Sequence, residues 1–365
     1  MKRLLILSLG LTLFFSGCDK NSSSNKIDNL SKINIGVIAP LTGEGATYGK
    51  SMQRGMELVF NGKERYKISY EDSKLSVKEG LNAYKKLSNE NPYIIYGAAS
   101  SGVSLGLISL ANKSKTVLFS SISTSDKLLN SSKYFLRNVP TNNIQGQTAA
   151  KFLINTLKLK KIAIYNENDE YGVNLATSFK KTANDLGVKI LLENSYDANK
   201  NDFKTFLSKM KSYEIEAIFI PGNYEETAQI LKYAKELSLS NIVFMGGDGS
   251  YSPKISEIAG KNINNFYCTI MGIDKTLPFY KNFIKEFKAK YNVEPDTYDA
   301  YAYEAAKIIF KTLENIKTKD EIIKYLYSNS FNSLTSSKLN FKEDGDISRE
   351  YGVTKLTNGD FKSVQ

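Results

Sequence analysis

The chain has 365 residues, a formal net charge of +11, two cysteines, and neither histidine nor tryptophan. Its 41% hydrophobic and 24% charged content is that of a globular chain about two domains long, which excludes disorder, collagen and a multi-span membrane protein. Without histidine there is no Ser-His-Asp or Cys-His nucleophile system, no His-bearing zinc site and no imidazole acid or base.

The elements begin with an export signal. Lys2 and Arg3 precede the apolar run LLILSLGLTL and then FFSGC. That is a positive n-region, an apolar stretch too short to stay in a bilayer, and a small-residue cleavage site, so residues 1–17 are expected to be removed. The junction Gly17-Cys18 resembles a bacterial lipobox, which implies cleavage before Cys18 and lipid on its thiol. Asp19 behind it resembles the signal for retention at the inner membrane. Residues 1–17 hold two bases and no acids, so the mature charge falls to +9. Residues 18–31, rich in Ser and Asn, read as a flexible tether. With Cys18 lipidated, Cys268 in NNFYCTIM is left unpaired and reads as a buried small hydrophobe.

Strand-like runs follow at 33–39, 93–97, 116–120, 161–165, 216–220 and 242–246. Segments of helical period alternate with them: one from Tyr48, then 75–87, 102–112, 143–157, 172–186, 202–212 and 224–237. The strands are continuous aliphatic and β-branched runs without polar alternation, as expected of parallel strands covered on both faces. Such alternation of β and α predicts a doubly wound α/β architecture, and the length predicts two such Rossmann-like lobes. A polar stretch with Pro140, residues 137–142, marks a break between them. Helices at 278–290 and 298–316 and a β-rich tail at 336–358 complete the chain.

In open α/β sheets, ligands bind beyond the carboxyl ends of the strands. The first three strand ends lead into small, hydroxyl-bearing loops without Arg or Lys: Pro40–Gly49, Ala98–Gly102 with Ser100 and Ser101, and Ser121–Ser125 with Ile122 and Thr124. Such loops hold an anion through hydroxyls, backbone N–H groups and helix dipoles. Later strand ends add Tyr171, Asn223, Tyr224 and one carboxylate between glycines, Asp248. A neutral anion nest facing an acid and aromatic rings suits a zwitterion such as an amino acid. Helix capping by Ser101 and Thr124, core packing by Tyr171 and a plain turn role for Asp248 compete with this reading on position alone. Three other motifs fail. Gly102-Val103-Ser104-Leu105-Gly106 matches the hydrolase elbow but lacks its histidine base. Gly43, Gly45 and Gly49 miss the dinucleotide spacing by one residue. Tyr171 stands where a calcium loop around Asn166, Asn168 and Glu170 needs glycine. No cofactor or metal is expected.

The pattern resembles the type I periplasmic binding proteins, in particular the branched-chain amino-acid group that serves ABC importers, over about residues 32–360. INIGVIAPLTGEGATYGKSMQRGMELVFNG is similar to that group's opening strand, turn and helix, and GAASSG, FSSISTSD, NNIQGQTAAKFL, NDEYGVNLA and FMGGDGSYSP follow in order. The resemblance implies that Ser101, with Ser100 and Thr124 beside it, holds a ligand carboxylate and that Asp248 pairs with the α-ammonium. It implies that Tyr48 and Tyr171 line the cleft from opposite lobes, with Asn223 or Tyr224 as a further cleft residue. Ile122 replaces a usually small residue, its carbonyl still able to accept from the ammonium. Three crossovers are implied, near Pro140–Asn143, Gly272–Asp274 and Phe331–Ser336. One lobe would then comprise 32–141 with 273–332, and the other 142–272 with 333–365. The implied protein is a monomeric, lipid-anchored receptor outside the cytoplasmic membrane. It would pass a branched-chain or other aliphatic amino acid to an ABC permease, with no catalysis and no nucleic acid. The alternative within this fold is a receptor for another small solute (an amide, a urea derivative or a purine) or a sensory ligand-binding protein.

Overall fold

The computed structural model describes residues 32–198, 202–260 and 263–364, so the signal, Cys18 and tether expected over residues 1–31 lie outside the described residues. Strands β1 (Ile33–Ala39), β2 (Tyr66–Asp72), β3 (Ile94–Tyr96), β4 (Val117–Ser120) and β5 (Phe135–Arg137) form a parallel sheet in the order β2-β1-β3-β4-β5. Helices α1 (Ala46–Phe60), α2 (Val77–Ser88) and α3 (Ser101–Ser114) connect its first strands. β3 and β4 are buried at every position, which is why they read as unbroken apolar runs.

A second sheet contains β6 (Ile162–Glu167), β7 (Ile190–Tyr196), β8 (Ala217–Ile220), β9 (Val243–Gly246), β10 (Phe266–Met271), β11 (Tyr351–Thr357) and β12 (Asp360–Ser363). Its order is β12-β11-β10-β9-β8-β6-β7, parallel except for β11 and β12, which pair antiparallel. Helices α4 (Asn142–Lys151), α5 (Glu170–Asp185), α6 (Phe203–Leu207), α7 (Tyr224–Glu236) and α8 (Lys254–Ala259) belong to this half. The chain then returns as α9 (Pro278–Tyr291), α10 (Thr297–Glu314) and α11 (Glu321–Ser328) before β11. The architecture is thus two doubly wound α/β units, and the chain passes between them three times. Cys268 is a fully buried free thiol in β10.

Helix α10 packs along α1. A Cβ at Gly55 would stand 2.5 Å from the Ala302 backbone, so glycine permits the approach. Arg54 and Asp299 make a two-pronged ion pair at 2.7 Å across the same contact. Asp299 also closes a capping box with Asp296 at the start of α10.

Several boundaries differ from expectation. α1 starts at Ala46, two residues before Tyr48, after Gly45 adopts a left-handed φ of 71°. The helix expected over 143–157 is α4 followed by a π-helical turn over Phe152–Thr156. The helix expected over 202–212 shortens to α6 and continues as turns. The edge strands β2 and β7 are additions: half-exposed and polar, they lack the continuous apolar run that marks the inner strands.

Candidate functional site

The carboxyl ends of β1, β3, β4, β6, β8 and β9 deliver their loops to one cleft of about 280 Å³ between the two sheets. From the first sheet, the turn after β3 brings Ala99, Ser100 and Ser101 to the start of α3. Ser101 is buried, and its Oγ accepts from the Ser125 N–H at 3.1 Å, tying the β3 and β4 loops together. The first-turn N–H groups of α3 have no partner within the helix, and the helix dipole places partial positive charge there. A second serine layer lies beneath. Ser104 meets Ser123 at 2.8 Å, and Ser120 and Ser123 both donate to the Ala98 carbonyl. Thr124 is buried in this layer with no hydrogen-bond partner for its Oγ1 among the described residues.

From the second sheet, the short turn after β9 presents Asp248. Its Oδ1 accepts from Gln145 Nε2 and the Tyr171 hydroxyl, both at 2.7 Å, and from the Gly249 N–H at 3.0 Å. Oδ2 receives one long contact, from the Tyr351 hydroxyl at 3.4 Å. The residue is 4% exposed, and no cation pairs with it among the described residues. Burial pushes its pKa up, and the four donors pull it back only in part. A buried carboxylate with three donors on one oxygen and an almost unfilled second oxygen is suited to an incoming cation.

Tyrosines build the walls. The Tyr48 hydroxyl donates to the Gly249 carbonyl at 2.5 Å, reaching from α1 to the β9 turn. Its ring packs edge-on against Tyr298 and Tyr224, with centroids 5.1 and 5.8 Å away. Tyr298, from α10, donates to the Asp248 carbonyl at 2.7 Å. Burial raises the pKa of Tyr48, Tyr171 and Tyr298 well above the phenol value, so all three stay neutral donors.

Of the residues singled out from sequence, Tyr48, Ser100, Ser101, Ile122, Tyr171, Asn223 and Asp248 line the cleft. Thr124 and Tyr224 do not: Thr124 sits in the serine layer, and Tyr224 is buried behind the Tyr48 ring. The lining also includes Glu44, Lys74, Leu75, Ser76, Glu167, Asp169 and Tyr298, which the sequence reading missed. Glu167 and Asp169 fall at a strand end already under scrutiny as a failed calcium loop, so reading that loop for charge would have found them. Tyr298 comes from a helix remote in sequence, and no local pattern marks it.

Two α/β units with a ligand-sized cleft between their strand ends define a two-lobed solute-binding protein. A family model for periplasmic binding proteins matches residues 32–360, and the chain belongs to that family, in its type I, branched-chain amino-acid group. The leucine-, isoleucine-, valine-, threonine- and alanine-binding protein of Pseudomonas aeruginosa is 26% identical over 327 residues, 86% of this chain and 87% of that protein. A Leu/Ile/Val-binding protein homologue of Brucella melitensis is 24% identical, covering 90% and 92% of the two chains. Among solved structures, the leucine-binding protein LivK of Thermotoga maritima superposes with a TM-score of 0.85 at 25% identity, covering 91% of this chain and 98% of that one.

Proposed function

We propose that this protein captures an amino acid between its lobes and delivers it to an ABC importer, as an exported lipoprotein anchored through Cys18. One observation carries the reading. The buried, cation-free carboxylate of Asp248 shares a cleft with the neutral donors of Ser101 and the α3 N-terminus. An α-ammonium fills the first and an α-carboxylate the second, and a ligand lacking either leaves buried polar groups unpaired. Leu75, Ile122 and Ala99 supply apolar wall for an aliphatic chain, and the relatives' names support a branched-chain ligand. The lobes are taken as 32–141 with 273–332, and 142–272 with 333–365. The protein acts outside the cytoplasm and hands its ligand over unchanged.

Calorimetric titration of the purified protein with the twenty amino acids tests this. At least one binds, and Asp248→Ala weakens it at least tenfold while circular dichroism stays unchanged. Equal affinity in the variant would overturn the assignment of the ammonium site.

A further inference from the structure

Granting that the ligand is an amino acid, the rest of the cleft bears on which side chain is taken, and it departs here from the branched-chain preference in the relatives' names. The lining holds four carboxylates (Glu44, Glu167, Asp169 and Asp248) and, among the described lining residues, one cation, Lys74. A zwitterion's ammonium answers Asp248, so a ligand with a neutral side chain leaves Glu167 and Asp169 without a cationic partner among the described residues.

Glu167 is the best-built of these acids. It ends β6, is 5% exposed, and its Oε2 accepts from both the N–H and the Nδ2 of Asn223 at 2.9 Å. Asn223 in turn faces the Tyr48 hydroxyl at 3.4 Å, and Tyr48 reaches the Gly249 carbonyl. Glu167 therefore lies across Asn223 and Tyr48 from the Asp248 turn, in the same cleft but on separate partners. Beside it the Tyr196 hydroxyl is buried with no hydrogen-bond partner among the described residues. Both groups crowd Gly222, where a Cβ would stand 3.2 Å from Oε2 and 2.0 Å from the Tyr196 oxygen. No cation lies within ion-pair distance of Glu167 or Asp169 among the described residues. A leucine or isoleucine side chain brings no charge to this end of the cleft, whereas a cationic nitrogen would meet two carboxyl groups that no cation pairs with among the described residues.

We propose that Glu167, backed by Asp169, is the specificity-determining group of the cleft and selects an amino acid whose aliphatic stem ends in a cationic nitrogen, of the lysine, ornithine or arginine type. The stem lies against Leu75, Ile122 and the tyrosine rings, and the terminal cation meets Glu167. The groups facing Glu167 are Asp169 at the head of α5, Glu226 on α7, Tyr196 on β7, Tyr48 on α1 and Asn223, and Lys74 of the β2–α2 loop lines the same cleft. Burial first, and then the charge of Asp169, favour the protonated form of Glu167 in the ligand-free protein. Cation binding then expels that proton, and affinity for lysine rises from pH 6 to pH 8, where affinity for leucine stays level.

The test is calorimetric titration with L-lysine, L-arginine, L-leucine and L-isoleucine at pH 6 and 8, on the unmodified protein and on Glu167→Gln. Lysine or arginine binding at least tenfold tighter than leucine, with that ratio falling at least tenfold in the variant, supports the proposal. Leucine or isoleucine binding tighter in the unmodified protein overturns it and leaves the amino-acid assignment standing. A preference for lysine that survives unchanged in a folded Glu167→Gln protein overturns the role of Glu167. Binding of no amino acid at all overturns the amino-acid assignment and this inference with it.

Discussion

Asp248 and Glu167 are both buried carboxylates at strand ends, yet their surroundings set them apart. Asp248 is held by four donors, three of them side chains, whereas Glu167 has only Asn223 and faces further acids. Burial, and after it the charge of Asp169, pushes Glu167 up to about 8, and burial pushes Asp169 up to about 6. The sign follows from linkage. A carboxyl whose folded pKa is raised contributes full stability below its ordinary value near 4.5 and loses it as pH climbs through the folded value. In the ligand-free protein, Glu167→Gln removes this loss. Its melting temperature should exceed that of the unmodified protein by a few degrees at pH 8.5, roughly what 1–2 kcal/mol gives in a chain of this size. The gap should close toward pH 5. Calorimetric scans at the two pH values measure it, and a gap independent of pH would mean that Glu167 titrates normally.

At the scale of elements, the contact between α1 and α10 is a backbone-to-backbone approach that glycine permits. Gly55→Ala puts a methyl 2.5–2.7 Å from the backbone of Ala302 and Tyr303, a clash with main chain that no side-chain rotation relieves. Overpacking of this kind costs about 1–3 kcal/mol, so the urea midpoint should fall with the slope unchanged. An unchanged midpoint would show that the helices move apart freely. No local pattern in the sequence marks Gly55, because the backbone it meets lies almost 250 residues away. The same limit governs the rest of the fold. Inner strands such as β3 and β8 were legible because every position is buried and the run is continuously apolar. β2, with YKISYED, and β7, with ILLENSY, lie at sheet edges, where half-exposure admits polar residues and erases the signal. The site divides in the same way. Ser101, Tyr171 and Asp248 follow strands directly and could be read from the rule for strand ends, whereas Tyr298 arrives on a helix from the far end of the chain.

Across the whole molecule, the two units meet in a closed arrangement with contacts at both the rim and the pivot. Segments that pass between the units converge on Glu304 of α10. It accepts from Arg349 at 2.6 Å, the Leu334 N–H at 2.8 Å and Asn138 at 2.7 Å, all buried. Arg349 also donates to the Asn138 carbonyl. This network joins the connecting segments to one another, so it can persist while the units swing. The rim is different. Ser125 Oγ and Lys127 Nζ, from the β4–β5 connection, reach Glu170 of α5 at 2.9 and 2.8 Å, the Asp126 N–H reaches Asn174, and the Gly45 N–H reaches Glu225. Such contacts exist only when the cleft is shut, so they favour the closed form by their own interaction energy and slow ligand escape. Glu170→Ala removes two of them at once without touching the cleft lining or the pivot. Lys127 is largely exposed, which makes its ion pair weak, so most of the effect comes from the Ser125 hydrogen bond. The expected loss is about 3–10-fold in affinity, carried by faster dissociation with association unchanged. The chain has 23 tyrosines and no tryptophan, so stopped-flow tyrosine fluorescence reads both rates directly. A slower association with unaltered dissociation would place these contacts on the path of closure instead of in the closed state, and would move the barrier to ligand exchange from the rim to the pivot around Glu304.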